Sequence, residues 1–318
     1  MRRRDFIACA AAGRMFAQAQ SKRTTAERIG YSPDTKLLMV HADDVGMCHS
    51  VNAATTEALL SGAVQSASIM VPCPWLREIA EAVRERPELD IGLHLTLTSE
   101  WQHYRWGPVA PVDRIPGLID PDGYLWRDVR GVATHASAAE VELELRAQIE
   151  RARRVGIRFT HLDTHMGTLY ARRDYFEVYT KLAREARVPC MMPRPAGVAA
   201  AQLKGYPITA EMLERKEAEG FVMLDRLVTG VQGSTPEERK QSYEQFLRQL
   251  TPGVTKLIVH LAKDDPEIRA VTNSWRQRYG DYLFWTSEMA RALVKELDIR
   301  PVTYRELANL AYTQTERE

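Results

Sequence analysis

Short apolar runs that end in turn signals alternate with amphipathic segments about seven or eight times along this chain, with no break in composition. That alternation limits the fold more than any other feature, because a run buried on both faces reads as a parallel strand and parallel neighbours need a crossover helix between them. Strands are expected at residues 37–42, 64–71, 90–97, 157–162, 190–192, 221–224, 254–261 and 299–302. Helices are expected at 51–60, 75–86, 138–155, 174–188, 209–219, from 236 onward and at 282–297. The pattern predicts an α/β fold of one domain, a (β/α) barrel that is deformed or has seven strands. An open doubly wound sheet is the runner-up, but the chain has no GxGxxG or GKS loop to bind a nucleotide.

Helix boundaries are legible where a side chain can satisfy the free amides of a first turn. Ser137 with Glu140, and Thr235-Pro236-Glu237-Glu238, read as capping boxes, and Ser50 reads as a cap for the helix that stops at Gly62. Residues 98–136 have no regular period and carry Trp101, Tyr104, Trp106, Tyr124 and Trp126 among prolines and glycines. This is a long loop within the domain, whose aromatics either offer stacking faces to a ligand or pack the loop itself.

Lys and Arg number 43 against 42 for Asp and Glu, so no global field draws the protein to nucleic acid or to an anionic membrane. No stretch approaches the ~20 apolar residues of a membrane span. Cysteines 9, 48, 73 and 190 show no metal or disulfide spacing. Arg3, Arg4, Asp5, Phe6 and Ile7 read as the core of a twin-arginine export signal, with a cleavage-like Ala17-Gln18-Ala19 after it. Residues 1–30 are therefore set outside the fold and 31–318 form the domain, with a periplasmic or secreted location expected; the alternative is a basic tail on a cytoplasmic protein.

The unusual polar residues fall at the ends of different expected strands: Asp43 and Asp44 after the first, His94 on the third, His161, Asp163 and His165 after the fourth, Arg194 after the fifth and His260 on the seventh. In a barrel such positions converge on the carboxyl-terminal face. Adjacent carboxylates at a buried strand end need a partner, a metal or a raised pKa. His161, Asp163 and His165 share one face if extended, and two imidazoles with a carboxylate suit a divalent metal with open positions. Taken singly, His94 and His260 each read as core histidines.

HADDVG, GLHLTL, HLDTHMG and the late KLIVH resemble, in this order, the YdjC-type carbohydrate deacetylases, which remove acetyl groups from N-acetylated sugars such as chitooligosaccharides. The resemblance implies a deformed barrel and one divalent metal, zinc or magnesium, held by Asp44, His94 and His165. It gives Asp43 the place of the base and His260 that of the general acid, with water on the metal attacking the acetamide. His161 and Asp163 are expected to orient ligands, and Arg194 to hold the base ionised or to close a surface ion pair. Leu261 stands where the family commonly has proline after the late histidine. The expected partner is an N-acetylated sugar, and a homodimer is compatible with the sequence. A barrel metal-dependent sugar isomerase or epimerase, and a non-catalytic carbohydrate-binding protein, are the competing functions.

Overall fold

Seven parallel strands, β1 (Lys36–Val45), β2 (Ser66–Ile69), β3 (Ile91–Leu95), β4 (Leu162–Thr164), β5 (Arg226–Val228), β6 (Gly253–Val259) and β7 (Ile299–Pro301), make one sheet in the computed structural model. The structure describes residues 23–197 and 205–311. The strand order is β4-β3-β2-β1-β6-β5, with β7 on β1. Both β6 and β7 pair with Lys36 to Leu38, so β7 lies on the edge of β1 opposite β6. Farther along, from His41, β2 takes that same edge. Strands β1 to β4 and β6 are buried on both faces, which is why the longer ones read as continuous apolar runs.

Between β4 and β5 the sheet is completed by single bridges. Leu162 pairs with Cys190, and Pro193 with Leu224; Met191 N donates to Leu162 O at 2.9 Å and Leu224 N to Met192 O at 2.8 Å. The sheet thus curls into the expected deformed barrel. The expected strands at 190–192 and 221–224 survive only as these bridges. The fourth strand begins at Leu162, beyond most of the expected 157–162, although Thr160 N still donates to Ile91 O.

Three local expectations are corrected. Ser50 lies inside the helix His49–Leu60, whose N-cap is Cys48 without a side-chain bond, and its hydroxyl instead donates to Asp265 at 2.6 Å. The expected helix at 282–297 is two helices, Trp275–Thr286 and Glu288–Glu296, because Ser287 takes extended angles and caps the second. The long loop carries its own helix, Val129–His135, capped by Asp128. The Ser137 and Thr235 capping boxes form as expected.

Residues just before Tyr31 also pack on the domain. Thr24 and Glu27 form a capping box on a helical turn, Thr25–Arg28, with Thr25 and Ala26 fully buried. The carboxylate of Asp225 accepts from Thr25 N at 2.9 Å and from Val254 N at 2.9 Å, tying this turn to β6. The twin-arginine motif lies outside the described residues. Among the described residues no helix is long and apolar enough to cross a membrane.

Candidate metal centre

The end of β1 is built so that two consecutive carboxylates serve one site. Neighbouring residues of a regular strand point to opposite faces. Here Asp44 adopts φ 64 and the β1–β2 register shifts between Ala42 and Val45, a bulge that turns the second carboxylate. As a result His94 Nε2, on β3, lies 3.7 Å from Asp43 Oδ2 and 3.5 Å from Asp44 Oδ1.

His165 follows β4, where Met166 (φ 53) and Gly167 (φ 65) kink the chain. Its Nδ1 is 3.2 Å from Asp44 Oδ1, while Nε2 is 3.1 Å from both oxygens of Glu100. Asp44, His94 and His165 each offer a ligand atom, and these atoms all lie within 4.8 Å of one another. Asp44 Oδ1 is buried and accepts no well-formed hydrogen bond. An orphaned carboxylate oxygen between two imidazole nitrogens is a costly arrangement that a divalent cation would complete, so the donor set fits a metal.

Electrostatics follow from the same contacts. Burial would raise the Asp44 carboxyl, but Arg278, whose Nη2 donates to Asp44 Oδ2 at 2.7 Å, and the flanking histidines hold it well below the usual range. Asp43 is likewise lowered against burial, chiefly by His94. Burial pushes His94 down. It also opposes the charge on His165, yet Glu100 and Asp44 raise that imidazole to about 10.

His260 comes just after β6. Its backbone N–H donates to Asp281 at 3.1 Å, and Asp281 is in turn paired with Arg239. Its half-exposed ring places Nε2 at 3.8 Å from Asp44 Oδ2. With Leu261 in place of proline, this anchoring from the Trp275–Thr286 helix brings His260 to the carboxylates.

HxDxH does not act as one unit. Asp163 accepts from Lys256 and lies 3.3 Å from His41 Nε2, so it touches the residues beneath Asp43 instead of His94 or His165. His161 stacks on Tyr304 at 3.9 Å and bonds Thr160 at 2.9 Å, away from the cluster. Glycine is required beneath it, since a Cβ at Gly92 would lie 2.3 Å from His161 Nε2. Arg194 does not reach Asp43; it pairs with Glu217 at 2.7 Å and Asp225 at 3.1 Å, on the acids that secure the first helical turn.

Sequence reasoning missed Glu100, Lys256, Arg278 and Asp281. Lys256 had a signal, an isolated cation in an apolar strand at the same parity as His260. The others sit on a loop and on a helix turn with no local pattern to mark them.

The carboxylates and histidines line a cavity of about 500 Å³ whose remaining wall is largely apolar, including Tyr170, Met191, Tyr206, Leu227 and Ile258. Of the loop aromatics only Trp101 lines it. Trp106 donates to Thr98 O at 2.9 Å and Trp126 to Gly117 O at 2.8 Å, so both pack the loop itself.

The family model of YdjC-like proteins matches residues 37–296. The chain belongs to the YdjC family. A relative from Thermus thermophilus named carbohydrate deacetylase is 33% identical over 279 residues, 88% of this chain and 96% of its own. One of the same name from Brevibacillus brevis is 34% identical over 275 residues, 85% of this chain and 99% of its own. The crystal structure of a protein from Enterococcus faecalis V583, named as a candidate cellobiose-phosphate cleavage protein, superposes with a TM-score of 0.70 at 23% identity, covering 86% of this chain and 99% of that one. At that identity the superposition establishes the shared family fold.

Proposed function

We propose that this protein is a metal-dependent hydrolase that removes the N-acetyl group from an amino sugar or a chitooligosaccharide-like oligosaccharide. The observation that carries the reading is the buried, orphaned Oδ1 of Asp44 between His94 and His165 on the wall of the cavity. The names of the full-length relatives support the same chemistry.

Asp44, His94 and His165 would hold the ion, and two imidazoles with one carboxylate suit zinc ahead of magnesium. When bound, such an ion supplies Lewis-acid polarisation and lowers the pKa of water toward ~7. Asp43 is ionised and turns Oδ2 toward His94, where it can accept the proton of an attacking water. His260, which lines the cavity, would give a proton to the departing amine. Arg278 holds the second oxygen of Asp44 and so fixes which oxygen faces the histidines. Trp101 and Tyr206 line the cavity, where aromatic rings can stack on a sugar ring.

Acetate release from a panel of N-acetylated sugars, with metal-replete wild type beside Asp43→Asn, tests this. The expected result is release that falls by about 10²–10⁴-fold in the variant while bound metal persists. A wild type that releases nothing from any sugar, or an equally fast variant, defeats the reading.

Export through the twin-arginine route is also proposed, on Arg3, Arg4 and the residues that follow them. Sequencing of the mature amino terminus from fractionated cells is expected to find it beyond Ala19, outside the cytoplasm. Intact protein confined to the cytoplasm would sink that proposal.

A further inference from the structure

Four strands contribute to a second polar layer beneath Asp43. Lys256 of β6 donates to Asp163 Oδ2 of β4, and that oxygen lies 3.3 Å from His41 Nε2 of β1. His41 Nε2 is 3.3 Å from Asp43 Oδ1. Ser68, on β2, is 3.1 Å from His41 Nε2 and 3.4 Å from Asp43 Oδ1, and Ser66 is 3.0 Å from His41 Nδ1. Lys256 and His41 are fully buried. Two carboxylates face Nε2, so that nitrogen carries the proton.

We propose that His41, Asp163 and Lys256 are positioning residues for Asp43, forming a buried chain that holds its Oδ1 and leaves Oδ2 free toward His94 and the cavity. The proposal rests on the reading of Asp43 as the base. Without such a hold the carboxylate could rotate and exchange its two oxygens; with it, one oxygen is committed to the interior and the other to chemistry. His41, Asp43 and Asp163 also lie within 4.8 Å by their ligand atoms, as a second metal site would require. Lys256 argues against that alternative. Its ammonium already sits on Asp163, supplying the positive charge that an ion would bring, and a second cation at contact distance would be repelled.

His41→Gln retains an N–H donor near the position of Nε2, whereas His41→Leu fills the volume without one. Both are compared with wild type for kcat and KM of acetate release, metal content and melting temperature. Expected are a kcat lowered at least about tenfold in the Leu variant at unchanged KM, one bound ion per chain throughout, and recovery of most of the loss in the Gln variant. Equal kcat in the Leu variant and wild type, equal losses in Leu and Gln, or two ions per chain overturn the proposal. Should the Leu variant not fold, the double variant Asp163→Asn/Lys256→Met removes both buried charges together. It is expected to show the same loss of kcat at constant KM, and an unchanged kcat overturns the proposal. Wild type that releases no acetate defeats the deacetylase reading and the proposal with it; active wild type beside an equally active Leu variant defeats the proposal alone.

Discussion

The candidate site turns on how the oxygens of two adjacent aspartates are divided. Asp44 gives Oδ2 to Arg278 and Oδ1 to the two imidazoles. Asp43 gives Oδ1 to His41 and Ser68 and Oδ2 to the side of His94. The division depends on φ 64 at Asp44, a left-handed conformation that aspartate and asparagine tolerate better than most residues. Asp44→Asn therefore keeps the backbone and an acceptor for Arg278 while removing the negative charge. The expected outcome, read by elemental analysis of purified, folded protein, is loss of bound metal by at least tenfold, with the metal-free variant melting below metal-free wild type because buried Arg278 loses its anionic partner. Metal retained at the wild-type level would show that Asp44 is not a ligand.

At the scale of elements, the long loop of residues 98–136 is held as part of the barrel. Glu144, on the helix Ala138–Arg154, accepts from Val109 N at 3.0 Å and Ala110 N at 2.8 Å. Within the loop Arg105 donates to Asp120 at 2.6 Å, and Asp120 also accepts from Asp122 N at 3.0 Å and Tyr124 N at 3.1 Å. Burial would raise the Asp120 carboxyl, but Arg105 and these amides hold it below its ordinary value. A depressed folded pKa means that the contribution is complete above the unfolded value near ~3.9 and is lost as pH falls through the folded one. Asp120→Asn is thus expected to cost about 1.5–3 kcal/mol at pH 7. In denaturant melts the gap from wild type should close at pH values below the folded pKa. A gap that stays constant down to pH 2 would show that Asp120 does not act through its charge.

For the whole molecule, the barrel is closed by weak links between β4 and β5 and fastened from outside by Thr25–Arg28. Asp225 joins that turn, Arg194 and β6. A chain begun at Tyr31 leaves this buried carboxylate without the amides of Thr25 and Ala26, and is expected to melt several degrees below one begun at Lys22. Equal melting temperatures would show that this turn adds nothing to the stability of the domain. A bound ion stabilises only the folded state, by about 2.7 kcal/mol at a hundred times its Kd. Chelation is therefore expected to lower the melting temperature of wild type by a few degrees and to leave Asp44→Asn unmoved; a chelator without effect on wild type would exclude a tightly held ion.

The sequence by itself determined the class of fold and the strand ends that meet in the site. Parallel strands buried on both faces must be apolar along their length, so a charge or an imidazole at their ends is conspicuous: Asp43, Asp44, His94, His165 and His260 could be picked out by that contrast. Capping boxes were legible for the same local reason, since Ser137 and Thr235 satisfy amides three residues away. What tertiary structure alone decided is which oxygen meets which nitrogen. No spacing marks Arg278 as the partner of Asp44, 234 residues away, or separates the cation that reaches the carboxylates from Arg194, which does not. His161, Asp163 and His165 alternate in sequence, yet the packing of Tyr304, Lys256 and Glu100 sends them to three surroundings. Such pairings depend on distances closed by chain folding, and they lie beyond any local pattern of residues.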